Sequence, residues 1–225
     1  MDKTLQVEHL EKYYGSRLRL TKAIDDLSFD VEPQEFVAIM GASGSGKTTI
    51  LNLVNGLDRP TSGEVLYDGK NIYEMNDDEL ADMRLRHMGT VFQAYNLIPE
   101  LSVYENVVLP IKIAKRKANM QKVDHLLEQL GLIDRKNFMP DQLSGGQQQR
   151  VAIARAMIND PKILFCDEPT GNLDKKTGDE VMDILKILNE EMGISIMVIT
   201  HDQSVADRCR KILHLSDGKL VISGN

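Results

Sequence analysis

Hydrophobic and polar positions follow two different rhythms along this chain. Near the N-terminus apolar residues alternate with polar ones, first at Leu5 and Val7 and again at Leu27, Phe29 and Val31. Alternation with a period of two is typical of half-buried strands, so this part predicts a small antiparallel sheet. Three later runs are almost continuously apolar, which predicts buried strands over residues 35–40, 163–166 and 194–199.

Helical patterns separate these strands. Val181, Leu185, Leu188 and Met192 recur at steps of 4, 3 and 4 residues, which predicts a helix with one apolar face that ends at Gly193. A further helix is predicted over Thr48–Leu57, ending near Gly56. Residues 95–160 are predicted to be mostly helical, with one helix stopping at Gly131 and another before Pro161. Hairpin turns are predicted at Asp217-Gly218 and at Asp68-Gly69, the latter joining Val65-Leu66 to Ile72-Tyr73.

The strands and helices alternate, so the chain is predicted to adopt an α/β fold with a mostly parallel central sheet. The antiparallel strands at the start form a small N-terminal β subdomain in this scheme. The helical stretch of about 95–160 lies between two α/β portions and is interpreted as an inserted α-helical subdomain. No repeat or long linker interrupts the chain, so residues 1–225 are expected to form a single domain.

Composition narrows the choice of partners. The 225 residues carry 27 Lys and Arg against 34 Asp and Glu, a net charge of −7, and this acidic balance argues against a general nucleic-acid binder. The basic stretch from Lys112 to Lys117 is interpreted as a solvated helix face, with contact to lipid headgroups or a partner as the alternative. The two cysteines, Cys166 and Cys209, form no metal-ligand pair or disulfide framework and suit a reducing compartment.

Nothing in the apolar pattern predicts a membrane span. The longest apolar runs are far shorter than the roughly 20 residues that a membrane helix needs. The opening residues, 1–4, lack the apolar region of a signal peptide. Any membrane role is therefore expected to come from a partner.

A glycine-rich segment between a predicted strand and a predicted helix carries the first chemical motif. Residues 41–48 read GASGSGKT and match G-x-x-x-x-G-K-[ST] without a mismatch. Glycines let the backbone amides approach phosphates closely, and the N-terminus of the helix adds its positive dipole. Lys47 is expected to reach the β- and γ-phosphates, and the Thr48 hydroxyl to bind Mg²⁺. A glycine-rich turn with a chance lysine is the alternative.

Two acidic residues end the apolar run at 163–166. The strand delivers Asp167 toward the phosphates, where it can hold Mg²⁺ directly or through water, and Glu168 follows at once. A carboxylate in that place can polarise an attacking water, so Glu168 is the predicted general base. An acidic loop that merely caps a strand is the alternative.

The segment Leu143–Gln147, called here the signature segment, predicts a second anion-binding helix end. Ser144 and Gln147 have the spacing of a capping box, and Gly145 and Gly146 allow close backbone approach. One nucleotide has no obvious use for two such helix ends from the same molecule. Sharing between two molecules explains the duplication, since the signature segment of one chain would close on nucleotide held by the other.

These motifs together resemble the ATP-binding subunits of ABC transporters. The resemblance rests on the phosphate loop, the signature segment continued to Arg150, and Cys166–Gly171, and their order and spacing extend it over nearly the whole chain. Residues 41–48, Phe92–Pro99 and Leu143–Arg150 look most like the group that includes macrolide-efflux, lipoprotein-release and bacitracin-resistance subunits. The resemblance implies a P-loop (RecA-like) core and ATP with Mg²⁺ as cofactors.

Site roles follow from the resemblance where residues match. It implies that Gln93 contacts Mg²⁺ and the water, that His201 contacts the γ-phosphate, that Tyr14 (with Tyr13 adjacent) stacks on adenine, and that Asp174 belongs to a loop joining two ATP sites. The predicted catalytic residues are thus Glu168, His201 and Gln93, and the predicted metal ligands Thr48, Gln93 and Asp167. The predicted nucleotide-binding residues are Tyr14, Gly41, Ala42, Ser43, Gly44, Ser45, Gly46, Lys47, Thr48, Thr49, Ser144, Gly145, Gly146, Gln147 and Asp174.

A few positions depart from the family pattern. Thr48-Thr49 replaces the common Ser-Thr and keeps the hydroxyl. The segment Gly171–Asp174 replaces the commoner Ser-Ala-Leu-Asp. Gln34 stands where a turn glycine usually precedes Glu35, which leaves the geometry of that turn open.

The resemblance also implies partners and a place in the cell. It implies a head-to-tail homodimer, separate integral membrane permease subunits, room for a periplasmic or extracellular adaptor, and a bacterial protein at the cytoplasmic face of the plasma membrane. The predicted function is ATP hydrolysis that drives export or release of a drug, peptide or lipoprotein. The alternative is mechanical signalling across the membrane, as in cell-division or peptide-sensing pairs. Soluble ABC ATPases fit this sequence badly, because those of translation carry two cassettes in one chain and those of DNA repair contain a long coiled coil, and neither feature is present here. A simple phosphate-loop kinase is also disfavoured, because it has no use for residues 143–147.

Overall fold

The computed structural model describes residues 3–16 and 19–221; residues 1–2, 17–18 and 222–225 lie outside the described part. In chain order its strands are β1 (Leu5–Ser16), β2 (Arg19–Val31), β3 (Phe36–Met40), β4 (Ser62–Tyr67), β5 (Lys70–Asn71), β6 (Met88–Val91), β7 (Ile163–Asp167), β8 (Ser195–Thr200), β9 (Lys211–Ser216) and β10 (Lys219–Val221). Its helices are α1 (Lys47–Val54), α2 (Asp77–His87), α3 (Val103–Ile113), α4 (Met120–Gln129), α5 (Gly145–Met157), α6 (Lys175–Met192) and α7 (Gln203–Ala206).

The alternating segments at the N-terminus form a four-stranded antiparallel sheet in the order β2-β1-β4-β5. Leu5, Val7 and Leu27 point into the core as the alternation predicts. The pairing of β1 with β2 shifts register near His9 and Asp26, and both of these residues have a positive φ. Such irregularities are bulges that bend the sheet. The predicted small antiparallel sheet is confirmed.

The continuous apolar runs form the second sheet, which has six strands in the order β10-β9-β3-β8-β7-β6. Neighbours from β9 to β6 are parallel, and β10 closes the edge as an antiparallel hairpin strand. Both faces of this sheet are covered, which is why its strands lack polar alternation. The predicted α/β fold with a mostly parallel sheet is confirmed.

Successive residues of each buried strand enter different cores. Leu164 and Cys166 of β7 pack with α3, α4, α5 and α6, whereas Ile163 and Phe165 pack with α1 and the antiparallel sheet. This follows from the opposite directions of neighbouring side chains in a strand. The parallel sheet is therefore the middle layer of the molecule.

The residues between β6 and β7 fold into α3, α4 and α5 with short 3₁₀ turns between them. Their apolar faces pack on one another and on α6 in one of the two cores. The interpretation of residues 95–160 as an inserted lobe of a single domain stays a prediction. In the part of the chain that is described, no helix is both long enough and apolar enough to cross a membrane.

Some predicted elements differ from the structure in their details. Helix α1 ends at Val54 rather than Leu57, because Asn55 caps it and Gly56 turns away with a φ of +62°. Met192 was placed on the buried face of α6 but is 42% exposed, at the last position of that helix. After the turn at Asp68-Gly69, the second strand is only β5, and Ile72-Tyr73 form a 3₁₀ turn.

Gln34, which replaces the usual turn glycine, adopts a glycine-like backbone with a φ of +61°. Its amide N–H donates to the Ser195 hydroxyl, 3.0 Å away, and its carbonyl accepts from the Asn189 side chain at 3.1 Å. These two hydrogen bonds offset part of the cost of a left-handed conformation. The turn before β3 therefore keeps its geometry without the glycine.

The parallel strands bring distant segments to one edge. β3, β6, β7 and β8 all run in the same direction, so the residues that follow them meet at the carboxyl end of the sheet. Ligands of open α/β sheets bind at that edge. The segments in question are 41–46, 92–101, 167–174 and 200–202.

Candidate active site

The loop between β3 and α1 requires its glycines. Gly44 and Gly46 have φ values of +79° and +108°, in the region that favours glycine. A Cβ on Gly46 would lie 2.6 Å from the Ala23 carbonyl oxygen, and one on Gly41 only 2.4 Å from that of Leu215. The loop therefore lies between β2 and β9, and its backbone packs closely against the backbone of both strands.

The side chain of Lys47 folds back onto this loop. Its ammonium group donates hydrogen bonds to the carbonyl oxygens of Gly41 and Ala42, each 2.8 Å away. The ammonium group therefore lies against the loop that precedes α1, and the N-terminus of this helix favours an anion. The side chain of Ser45 is buried instead, and within the described residues its hydroxyl has no hydrogen-bond partner.

Asp167 and Glu168 follow one another at the end of β7. Burial raises the pKa of Asp167, the charge of Glu168 acts in the same direction, and the Lys47 ammonium opposes both. The predicted metal ligand and the predicted base are therefore electrostatically coupled to the phosphate loop.

Glu168 is held in an unusual conformation. Its φ is +45°, which is costly for a residue with a side chain and is often retained for function. His201 Nδ1 lies 2.7 Å from one carboxylate oxygen, and the Thr200 hydroxyl donates to the other at 3.3 Å. The Glu168 amide donates to the Ile199 carbonyl at 2.9 Å. The end of β8 therefore orients this carboxylate.

A third segment, Gln93–Asn96 after β6, carries the predicted Gln93. Tyr95 and Asn96 both have positive φ values, 60° and 51°. The Arg155 guanidinium on α5 donates to their carbonyl oxygens, at 2.8 and 2.6 Å respectively. Arg155 was missed from the sequence, although a charged residue inside the apolar run 151–157 was a usable signal.

One cleft collects these groups. It has a volume of about 660 Å³ and combines most of the phosphate loop with Gln93, both carboxylates and His201. Residues of β2 that the sequence analysis missed also line it, and no local signal marked them. The complete lining is Thr21, Lys22, Ala23, Ala42, Ser43, Gly44, Gly46, Lys47, Thr48, Thr49, Gln93, Asp167, Glu168 and His201.

The cleft also holds a set of oxygen donors. The Thr48 hydroxyl, the Gln93 amide and the Asp167 carboxylate all line it. Hydroxyl, amide carbonyl and carboxylate oxygens are the ligands that Mg²⁺ takes, usually together with phosphates and water. The residues present therefore suit that ion, and Lys47 with the loop amides suits the phosphates.

The signature segment lies outside this cleft. Ser144 caps α5: its hydroxyl accepts from the Gln147 amide at 3.3 Å, and the Gln147 side chain accepts from the Ser144 amide at 3.0 Å. The predicted capping box is confirmed. A Cβ on Gly146 would lie 2.2 Å from Thr177 Cγ2, and Asp174 caps the adjacent α6 through the Thr177 amide. The two helix starts are therefore packed together, and neither contributes a residue to the cleft that contains the phosphate loop.

Tyr14 is also absent from the lining of the cleft, although it contacts one lining residue, Thr49. Its hydroxyl donates to Asp58 Oδ2 at 2.7 Å, and the Lys12 ammonium lies 4.8 Å from the centre of its ring. Burial and Asp58 raise the pKa of Tyr14, while a hydrogen bond with the Thr49 side chain lowers it. The contact with Thr49 places the ring beside α1, and Asp58, which orients it, was not predicted.

Comparison with known proteins agrees with this arrangement. The family model described as ABC transporter matches residues 24–171. The chain is 48% identical over 95% of its length to the macrolide export ATP-binding/permease protein MacB of Syntrophobacter fumaroxidans, and spans only 30% of that relative. It is 43% identical to the lipoprotein-releasing system ATP-binding protein LolD of Syntrophus aciditrophicus, covering 96% of this chain and 98% of the relative.

Solved structures agree with the fold as well. The chain superposes on a dimeric ABC transporter cassette, MJ0796, with a TM-score of 0.87 at 43% identity, covering 97% of each chain. A second structure of that cassette, described as a post-hydrolysis state bound to ADP and Pi, gives the same TM-score at 42% identity. The fold and the loop that would hold phosphates are thus those of nucleotide-hydrolysing cassettes.

Proposed function

The chain belongs to the ABC transporter family as an ATP-hydrolysing subunit, and we propose that its cleft drives export or release of a substrate through separate membrane subunits. One observation carries the proposal. A single cleft joins the glycine-rich loop and Lys47 to Glu168 and to His201, which lies 2.7 Å from the Glu168 carboxylate. This combination places phosphate-binding groups beside a positioned base.

The loop binds the triphosphate in this proposal. Amides of residues 41–49 point at the phosphates, and Lys47 exchanges its bonds to the carbonyls of Gly41 and Ala42 for phosphate oxygens. Tyr14, whose hydroxyl donates to Asp58, stacks its ring on the adenine.

Thr48, Gln93 and Asp167 would hold Mg²⁺ at the same edge of the sheet. When bound, the ion neutralises charge that develops on the phosphates. Asp167 contributes the formal charge of this set, and the charge of Lys47, which lines the same cleft, partly balances it.

Glu168 acts as the general base. Its carboxylate takes the proton of the attacking water, while Thr200 and His201 keep it oriented. His201 is well exposed at the mouth of the cleft, with 68% of its side chain accessible, so it can turn toward the γ-phosphate. Both groups lie on loops positioned by buried strands, which is a rigid support for a catalytic pair.

A second copy of this chain completes each site. The segment Ser144–Gln147 forms a capped helix start that does not line its own cleft. Its capping box uses the Ser144 and Gln147 amides, so the Gly145 and Gly146 amides are the ones left for an anion. In a head-to-tail dimer this surface closes on the phosphates held by the other copy, and Asp174 lies in the loop beside it. The dimeric arrangement of the similar cassette MJ0796 supports this assignment.

The membrane partner docks at a groove between α2 and α3. The groove has a volume of about 800 Å³ and is bordered by Leu85, Leu109, Pro110 and Ile113, next to β6 and Arg155. Ile113 is 61% exposed, which suits an apolar segment of a permease. Its position beside the Gln93 loop would let hydrolysis move the permease. Co-purification with a membrane subunit encoded beside it tests this partner.

Substrate class follows the named relatives. One is named for macrolide export and another for lipoprotein release, which supports a drug or a lipoprotein as cargo rather than mechanical signalling. A peptide is the third class of cargo in the proposal. In this proposal the chain works at the cytoplasmic face of a bacterial plasma membrane, with an extracytoplasmic adaptor where the transporter has one.

The substitution Glu168→Gln tests the proposal. It removes the base but keeps the shape and hydrogen-bonding capacity of the side chain. We expect kcat for ATP hydrolysis to fall about a hundredfold or more while ATP still binds and holds two chains together. ATP turnover by the purified protein and its mass in solution with ATP measure the two effects.

Glu128→Gln is the matched control, since it alters an exposed carboxylate of α4 outside the cleft. Turnover in this variant should equal that of the unaltered chain. Wild-type turnover in the Glu168→Gln protein would overturn the assignment of the base. Failure of both proteins to bind ATP would overturn the proposed function itself.

A further inference from the structure

The side chain of Gln93 rests on a glycine of another loop. A Cβ on Gly171 would lie 2.7 Å from Gln93 Nε2, 3.1 Å from its Cδ and 3.4 Å from its Cγ. The φ of Gly171 lies outside the left-handed region, so the backbone does not require glycine there. The glycine is needed for space, and the space is filled by Gln93.

Asn172, the next residue, binds the same glutamine twice. Its side-chain Nδ2 donates to the Gln93 backbone carbonyl at 2.9 Å, and its Oδ1 accepts from Gln93 Nε2 at 3.3 Å. One asparagine amide thus satisfies both the main chain and the side chain of Gln93. An alanine at this position, as in the commoner form of this loop, has no group for either bond.

The rest of the Gln93–Asn96 segment is held from the other side. Arg155 of α5 binds the carbonyls of Tyr95 and Asn96. The Tyr95 hydroxyl lies 3.0 Å from where a Cβ of Gly145 would stand, and Leu173 Cδ2 lies 3.3 Å from that point. Segments 93–96 and 171–173 are therefore packed against each other at the start of α5.

We propose that Asn172 is a positioning residue that ties the Gln93 segment to the Gly171–Asp174 loop, with Gly171 providing the room. The loop continues into α6, whose N-terminus packs on the signature segment through Thr177 and Gly146. A shift of the signature segment when two chains close would therefore move Gln93 in its own cleft. The contact between Asn172 and Gln93 is inferred from the geometry alone. The expected effect of this contact on ATP turnover rests on the proposed function.

Amide hydrogen exchange of the protein without nucleotide tests the contact. The Tyr95 and Asn96 amides donate to the carbonyls of Phe92 and Ala94, at 3.1 and 2.6 Å, so their exchange reports opening of the segment. Asn172→Ala should raise their exchange rate severalfold. Asn137→Ala, an exposed asparagine with no side-chain hydrogen bond in the described part of the chain, should leave it unchanged.

Gly171→Ala supplies a second variant that leaves Asn172 in place. The added methyl group meets the far end of a flexible side chain, so the chain can fold by moving the Gln93 amide off the loop. Exchange at Tyr95 and Asn96 should rise as it does in Asn172→Ala. Unchanged exchange in both variants would overturn the proposal.

Turnover measures the functional consequence. We expect kcat of Asn172→Ala to fall about tenfold, which corresponds to about 1.4 kcal/mol, with the half-saturating ATP concentration changed less than about threefold. In a Gln93→Ala background Asn172 keeps its bond to the main-chain carbonyl of residue 93, but no Gln93 side chain is left to position. The same substitution should therefore lower kcat less than about twofold in that background.

Equal losses from Asn172→Ala in both backgrounds would mean that it acts independently of Gln93, and would overturn the positioning role. If no variant or parent hydrolyses ATP, the proposed function fails, while the exchange experiment still decides whether the contact exists. The two failures are therefore distinguishable.

Discussion

Two consecutive carboxylates lie where a buried strand ends, and the charge of the first, Asp167, lowers the stability of the fold. Burial and the charge of Glu168 raise the pKa of Asp167 above its ordinary value of 3.8. A carboxyl group with a raised pKa binds more protons folded than unfolded, so the free energy of unfolding falls as pH rises above that value. Asp167 is thus unfavourable for folding and useful for binding a cation.

Substitution of Asp167 by Asn should therefore separate stability from binding. We expect a slightly higher Tm for the nucleotide-free variant at neutral pH, because the unfavourable charge is gone. The rise in Tm that ATP with Mg²⁺ causes in the parent should largely disappear, since a proposed metal ligand is lost. Thermal unfolding with and without ATP and Mg²⁺ measures both.

Asp141→Asn, which alters an exposed aspartate before the signature segment, is the control and should change neither value. A lower Tm for Asp167→Asn without nucleotide would contradict the electrostatic argument.

Among the elements, α5 connects most of the site. Its first residue follows the Ser144 cap, its middle carries Gln149, and Arg155 lies in its last turn. The buried Gln149 side chain donates to the Pro169 carbonyl at 2.7 Å, in the loop that follows Glu168. Because Arg155 holds the Gln93 segment, one rigid helix orients both loops of its own cleft and presents its N-terminus to the second copy.

Two substitutions at Ser144 should separate the cap from the dimer contact. Ser144→Ala loses the cap and should lower the free energy of unfolding by about 1 kcal/mol. Ser144→Asp keeps a capping oxygen, so it should fold almost as stably, but its charge repels the phosphates of the other copy. ATP-dependent dimerisation in a Glu168→Gln background should then be lost. Urea unfolding and mass in solution measure these outcomes.

Ser102→Ala is the matched control, because Ser102 caps α3 with the same type of capping box. The Ser102→Ala substitution should lower the free energy of unfolding by a similar amount and leave ATP-dependent dimerisation intact. Undiminished dimerisation by the Ser144→Asp protein would contradict the role of the signature segment.

At the scale of the whole molecule, the two sheets are joined by a small ionic cluster. Asp30 at the end of β2 pairs with Lys3 and, at 3.1 Å, with Lys211 at the start of β9. Just beyond the other end of β9, the Asp25 amide of β2 donates to the Gly218 carbonyl at 3.0 Å. The antiparallel sheet is therefore attached to the edge of the parallel sheet that lies beside the phosphate loop.

This cluster predicts an acid-sensitive part of the stability. The hydrogen bond from Lys3 holds the pKa of Asp30 below its ordinary value of 3.8, against burial and with help from Lys211. Its stabilisation is present above that pH and lost as pH falls through the lowered pKa. Asp30→Asn should lower the free energy of unfolding at pH 7 by no more than about 1 kcal/mol, since the pair is partly exposed.

The difference between Asp30→Asn and the parent should shrink as urea unfolding is repeated below the ordinary pKa. Asp82→Asn breaks an ion pair with Arg86 within α2 and joins no sheets, so it serves as control. Its effect should be about 0.5 kcal/mol or less. A difference for Asp30→Asn that stays constant across the acid range would contradict the pKa argument.

Local patterns in the sequence were enough to predict most of the buried strands and several of the helices, although helix α2 was not among them. Alternation at Leu5 and Val7 and the unbroken runs at 163–166 and 194–199 depend only on side-chain direction and burial, which neighbouring residues set. The phosphate loop, Asp167 and Glu168 could be predicted for the same reason. Each follows a strand directly, and parallel strands bring their carboxyl ends to one edge.

Tertiary structure alone decided which distant residues support that site. Thr21, Lys22 and Ala23 enter the cleft only because β2 lies over the loop, and Asn172 reaches Gln93 only because two loops meet at α5. The left-handed backbones of Gln34 and Glu168 likewise depend on partners far along the chain. Such contacts form between elements that are remote in sequence. The pattern of hydrophobic and polar residues within one element does not indicate which other element will pack against it.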